Sequence, residues 1–209
     1  MPTPDVNKLY LMRKTPVQAR AKATVEAVLE AAAQLLLSQG YDRTSTNQIA
    51  DIAGVSIGSL YEYFPGKEAV FAEIRRRESM KHYALLTAEP HPTTPQEMLR
   101  HLVDTHVEHI RANLPLHVAL ETEVPRIAIE NTETAILDDF VPQSNMFLEL
   151  HRDQLRPKAD VPFLTEFLMR VFSSTINDYA LRSPSRLEGQ ELANEVVDML
   201  GRYLLVEDA

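Results

Sequence analysis

From Arg20 to Gln39 the apolar positions Val25, Val28, Leu29, Ala32, Leu35 and Leu36 recur at helical spacing, in a stretch rich in Ala, Leu and Glu. That pattern predicts an amphipathic helix. Gly40 follows the last apolar position, where a left-handed C-cap is favoured, and Tyr41 can fold back onto the stripe. Next, Ser45 and Gln48 have the spacing of a capping box, so a short second helix starts near Thr46, with Ile49, Ile52 and Ala53 facing inward. Gly54 can supply the positive φ of a tight turn, and Ser56 caps a third helix from Ile57 to Phe64 that Pro65 ends. Leu60 and Phe64 fall four apart on its inward side, leaving Ile57, Ser59, Tyr61, Glu62 and Tyr63 for other surfaces.

A fourth helix from Lys67 through Val70, Phe71 and Ile74 to about Leu86 is long enough to link a head to a body, before Pro90, Pro92 and Pro95 break the chain. Thr94-Pro95 opens a helix with Leu99, Leu102, Val103, His106 and Ile110 on one stripe, so His106 faces inward. A short helical piece covers Leu116 to Pro125. Residues 132–155 carry Ile136, Leu137, Phe140, Phe147 and Leu148, with a kink expected at Pro142. Asp160-Val161-Pro162 starts a helix to about Leu181, and a last helix near Gly189 bears Leu192, Val196, Leu200, Tyr203 and Leu204. Between Phe163 and Tyr179 the apolar residues occupy more than one face, which predicts burial on both sides. The fold class is therefore all-α. Two short helices around a Gly, set on a longer first helix, make a tri-helical helix-turn-helix head, and a larger helical bundle follows. The expected divisions are an arm at 1–17, a head at 18–66 and a body at 67–209.

A length of 209 residues with 44% hydrophobic content suits one or two globular units. The net charge of -9 argues, as an average, against a phosphate-rich partner. The average hides an asymmetry: residues 1–87 hold eleven Lys/Arg against nine Asp/Glu, and residues 88–209 hold ten against twenty-one. Lys8, Arg13, Lys14, Arg20 and Lys22 face only Asp5 in the first 25 residues, which reads as a basic arm or as a solvated tail. Arg75-Arg76-Arg77 point in three directions on a helix and read as a solvated face. With no cysteine, disulfides and thiolate chemistry are unavailable and a reducing compartment suits the chain. No apolar stretch of signal-peptide length precedes Lys14, and the run Ala31 to Leu37 is broken by Gln34, so a cytoplasmic protein is expected.

Gly54-Val55-Ser56-Ile57-Gly58 fits the nucleophile elbow of serine hydrolases, but an elbow needs a strand before the Ser, and Asn47 to Ala53 read as a helix. His117 and Glu121 are four apart, and His106 and His109 three apart. Two-residue spacings fall short of the three ligands a metal site needs, so no metal and no cofactor is expected, nor an enzyme.

Gly40-Tyr41, Ile49-Ala50, Ala53-Gly54-Val55-Ser56, Gly58-Ser59-Leu60-Tyr61 and Tyr63-Phe64-Pro65-Gly66-Lys67-Glu68 together resemble the TetR family of bacterial transcriptional regulators, over about Arg20 to Phe71. Gly66 departs from the family, which usually has a capping Ser or Asn there. The resemblance implies a homodimeric repressor that lays the third helix in the major groove of a palindromic operator and lets go when a small molecule binds the body. A regulator of the same fold with no small-molecule effector is the alternative. By position, Thr44, Ser45, Tyr61, Tyr63 and Lys67 would hold phosphates, and Thr46, Asn47, Ile57, Gly58 and Ser59 would lie near bases, beside the cap Ser56. Ile57 cannot donate a hydrogen bond, so apolar contact with a thymine methyl is its expected role, while Asn47 could take an adenine or face solvent. Glu62 could accept from a cytosine amino group, but a carboxylate beside phosphates costs affinity and a solvent-facing or ion-paired role is favoured. The resemblance further implies a partly apolar effector held between the fourth, fifth, seventh and eighth helices, with His106, Phe147, Met169 and Phe172 as candidates and His117, Glu121 or Arg126 as polar anchors. It also implies a dimer interface on the last two helices, for which Phe167, Val171, Ile176, Val196, Leu200 and Tyr203 are candidates.

Overall fold

A computed structural model describes residues 10–125, 140–156 and 160–206. These form nine α-helices: α1 (Ala19–Gln39), α2 (Thr46–Ala53), α3 (Ile57–Tyr63), α4 (Lys67–Leu86), α5 (Pro95–Ala112), α6 (Leu114–Glu123), α7 (described over residues 140–150), α8 (Val161–Arg182) and α9 (Glu191–Leu204), with single 3-10 turns at Arg152–Gln154 and Pro184–Leu187. Among the described residues the one departure from helix and turn is an isolated antiparallel bridge between Leu155 and Leu205, so the expected all-α class holds. No described helix is long and apolar enough to cross a membrane. Arg126, Ile136 and Leu137 lie outside the described residues.

The chain divides into two compact units, Met1–Met80 with Pro115–Ala135, and Lys81–Leu114 with Ile136–Ala209. In the first, the α1 stripe Val25, Val28, Leu29, Ala32, Leu35 and Leu36 is buried as its spacing predicts, against Ile49 of α2, Leu60 of α3, and Val70, Phe71 and Ile74 of α4. Leu116, Ala119, Leu120 and Val124 of the α6 segment complete this core. The piece assigned to the body by its place in the sequence thus packs with the head. Ile52 corrects the expected inward face of α2: it is 47% exposed, and Ile49 and Ala50 are the buried residues of that helix. Eight residues give barely two turns, and the α1 groove they fill takes one side only.

The second unit is built on α5, α7, α8 and α9. Leu99, Leu102, Val103 and Ile110 of α5 meet Leu148 of α7, Leu164, Leu168, Phe172 and Ile176 of α8, and Val196, Leu200 and Leu204 of α9. Thr94 and Asp160 cap α5 and α8 with their side chains, and each helix has its Pro in the first turn, where the missing N–H costs nothing.

Candidate DNA interface and the core behind it

The α2–turn–α3 element is fixed at each end by its own side chains. The Ser45 hydroxyl accepts from the Gln48 N–H at 3.3 Å, and the Gln48 side-chain oxygen accepts from the Ser45 N–H at 2.9 Å. That reciprocal pair satisfies two of the amides a helix start leaves without partners. Gly54 sits at φ 67°, ψ 29°, the left-handed conformation that spares a glycine the strain other residues meet, and its N–H reaches the Ala50 and Asp51 carbonyls. Ser56 then accepts from the Ser59 N–H at 3.0 Å, and their hydroxyls lie 2.8 Å apart. The hydroxyls of Thr46 and Tyr61, 3.0 Å apart, tie the start of α2 to the middle of α3.

Ser45, Asn47, Ser56, Ile57, Gly58 and Tyr61 are exposed on this element, and Thr46 and Ser59 half-buried. Ile57 keeps 38% of its surface, an apolar side chain left uncovered. The G-x-S-x-G residues span the turn with a helix before Ser56, so no elbow forms.

Three expected phosphate contacts are placed differently. Thr44 is 2% exposed and its hydroxyl donates to the Gly40 carbonyl at 2.8 Å, closing the turn after α1. Tyr63 is 7% exposed and packs in the core. Leu60, Tyr63 and Phe64 follow the i, i+3, i+4 rule for one helix face, a signal present in the sequence that assigns Tyr63 inward. Lys67 is half-buried, donating to the Tyr41 carbonyl at 2.8 Å with its ammonium 4.1 Å from the centre of the Tyr41 ring. Burial, with Glu68 beside it, pushes the Tyr41 phenol well above its ordinary range, so the ring stays neutral under that cation.

Distant residues hold the element up. Gly40, at φ 85° and ψ 168°, lies in a region essentially reserved for glycine rather than in the expected left-handed cap. This lets the next amide, that of Tyr41, donate to a Glu123 carboxylate oxygen of α6 at 2.9 Å. Arg75-Arg76-Arg77 do not form a solvated face: Arg75 pairs with Glu121, Arg76 with Glu73 at 2.7 Å, and Arg77 with Glu73 at 2.9 Å and Glu26 at 2.6 Å. Burial pushes the Glu73 carboxyl up, but the hydrogen bonds from Arg76 and Arg77 outweigh it and hold it below the usual carboxylate range. Spacing within one helix foretells Glu73 to Arg76 and Arg77; the partners Glu26 and Glu121 come from other helices and leave no local signal.

In the second unit His106 and Phe172 meet edge to face with ring centres 5.6 Å apart, and Phe147 and Met169 pack against the same core. His82, which the sequence reading missed, brings its ring centre within 4.9 Å of both His106 and His109. His117 and Glu121 belong to the first unit, where Glu121 holds Arg75. Three interface candidates are corrected: Ile176, Val196 and Leu200 are buried inside the unit's own core. Helical period alone cannot say which of two apolar stripes a chain keeps for itself. The outward stripe of α8 is Phe163, Phe167 and the half-buried Val171; the rings of Phe163 and Phe167 stack at 5.9 Å, and half-buried Tyr203 of α9 lies 5.4 Å from Phe167.

Residues 28–74 match the model for bacterial regulatory proteins of the tetR family, and residues 94–204 match that for the tetracyclin repressor-like C-terminal domain. The chain is 29% identical over 146 residues to the HTH-type transcriptional repressor BepR of Brucella suis, covering 69% of this chain and 66% of that protein. It is 38% identical over 65 residues to the HTH-type transcriptional regulator RutR of Escherichia coli, covering 31% and 29%. The matched segments thus span under two thirds of these relatives' own length. The fold is that of NalD, the secondary repressor of the MexAB-OprM multidrug efflux pump in Pseudomonas aeruginosa, with a TM-score of 0.71, 21% identity, and 91% and 100% of the two chains covered. With both segments matched, the second spanning more than half of the chain, the chain belongs to the TetR family of bacterial regulatory proteins.

Proposed function

We propose that this chain is a cytoplasmic, homodimeric transcriptional repressor that reads a palindromic operator through α3 and releases it when a small, partly apolar molecule enters the second unit. The observation that carries the reading is the capped α2–turn–α3 element, with Ser45, Asn47, Ser56, Ile57, Gly58, Ser59 and Tyr61 along it. In such an element the hydroxyls fix register on phosphates and the small, apolar tip of α3 meets base edges. Small side chains at Gly58 and Ser59 allow close approach, and Ile57 offers methyl contact but no hydrogen bond.

Dimerisation is supported by the exposed rings of Phe163 and Phe167 on α8, with half-buried Val171 and Tyr203 beside them. Repression parallels the description of NalD and BepR as repressors, and an effector site is supported by the aromatic group around His106. Selection of bound duplexes from a random pool tests the reading. An enriched palindrome with half-sites about one or more helical turns apart is expected; failure to enrich any palindrome refutes it. A thermal-shift screen separates an effector-gated repressor from one without an effector, because a ligand that binds the native state alone raises the melting temperature.

A further inference from the structure

Glu62 stands exposed on α3, one residue beyond the proposed phosphate ligand Tyr61, where a carboxylate would oppose binding to DNA. A segment 48 residues earlier answers it. The Lys14 ammonium is hydrogen-bonded and ion-paired to the Glu62 carboxylate and lies 4.9 Å from the centre of the Tyr63 ring. Its neighbour Arg13 donates from its guanidinium to the Tyr61 carbonyl at 2.9 Å and from its backbone N–H to the Tyr63 carbonyl at 2.7 Å. Helix α3 ends at Tyr63, and carbonyls of a last turn have no partners within their own helix; here the arm supplies two. Tyr10 and Met12 pack on the first unit's core and anchor the segment.

We propose that Tyr10–Lys14 is a strap on the reader helix, in which Arg13 is a positioning residue for the end of α3 and Lys14 cancels the charge of Glu62 so that this face can lie against phosphates. The proposal rests on the DNA-binding reading above. It differs from a basic arm that grips DNA directly: the Lys14 cation is committed to the protein's own carboxylate, and the first unit gains a neutral patch rather than an extra positive one.

Charge arithmetic gives the test, made on the full chain with the operator duplex recovered by selection. At moderate salt, Lys14→Gln leaves Glu62 uncompensated in each protomer and weakens binding by about fivefold per half-site, about 25-fold for the dimer, the scale of one unit charge a few ångströms from a phosphate in water at each half-site. Glu62→Gln tightens binding by a similar factor, and Lys14→Gln/Glu62→Gln returns to within about twofold of wild type. Because Lys14 and Glu62 are about half exposed, melting temperatures should change by no more than about 2 °C. A double variant as weak as Lys14→Gln means that Lys14 itself holds DNA and overturns the proposal, as does a Lys14→Gln protein that binds like wild type. A wild-type chain that selects no DNA sinks the DNA-binding reading, and the strap with it; loss of rescue in a chain that does bind sinks the strap alone.

Discussion

Replacing Glu73 by Gln removes one negative charge from the inside of the first unit and leaves the shape nearly unchanged. Glu73 is 6% exposed and accepts two hydrogen bonds from Arg76, at 2.7 and 2.8 Å, and one from Arg77, at 2.9 Å. A fully buried ion pair that loses one partner typically costs about 3–5 kcal/mol, and an exposed pair at most about 1. Here the abandoned cations are not marooned: Arg76 is 43% exposed and can rehydrate, and Arg77 retains both oxygens of Glu26 at 2.6 Å. The loss should therefore fall between those limits, at about 1–2 kcal/mol, which for a unit of this size lowers the melting temperature by roughly 5–15 °C. A chain with two compact units need not unfold in one step, so amide hydrogen exchange followed by mass spectrometry is the appropriate assay. Protection should fall in α1 and in residues 69–77 of α4 and stay unchanged in α8 and α9. The acid side gives a second reading. The folded-state pKa of Glu73 is depressed, so its contribution is complete above the unfolded carboxylate value and is lost as pH falls through the lower folded value. Glu73→Gln should flatten this part of the acid unfolding curve. Unaltered protection in α1 and α4, together with an unchanged acid profile, would refute the reasoning.

The Gly40→Ala substitution forces an alanine into φ 85° and sets its Cβ 2.6 Å from the Glu123 carboxylate, so a loss of about 1–3 kcal/mol is expected in urea unfolding, and wild-type stability would contradict it. Phe167→Glu places a charge on the uncovered α8 stripe without opening the core; sedimentation should show monomer at micromolar concentration with helical circular dichroism retained, and an intact dimer would remove α8 from the interface. Substituting uracil for each operator thymine in turn should weaken binding at one position or more per half-site through lost methyl contact with Ile57, by roughly 1 kcal/mol or less; equal affinity throughout excludes that contact.

The parts of this fold that can be read from sequence are those whose partners lie within a few residues. Ser45 with Gln48, Gly54, Ser56, Thr94 and Asp160 all do in the structure what their spacing predicts, since a cap or turn is decided by local hydrogen bonds. Long amphipathic stripes such as Val25 to Leu36 are equally plain. Short helices are less so: over the two turns of α2, Ile52 could face either way, and only the shape of the neighbouring helix decides. The candidate site was legible in type and in most of its exposed residues. Its support was not, because Glu123 with Tyr41, Arg77 with Glu26 and Lys14 with Glu62 join residues 82, 51 and 48 positions apart. Ile176, Val196 and Leu200 were unreadable for another reason: a core stripe and an interface stripe have the same composition.

The lodging of Leu116, Ala119, Leu120 and Val124 in the first unit's core bears on modularity. A fragment cut after α4 would leave apolar core residues uncovered where α6 belongs, and would be expected to aggregate rather than stand alone. Exchange of sensing bodies between relatives, in evolution or in the laboratory, faces the same geometry. A graft that swaps everything beyond residue 80 also swaps part of the head's core, so viable chimeras should either retain residues 115–125 from the parent of the head or carry compensating changes at the α6 partners Tyr41 and Arg75 and in the core around them.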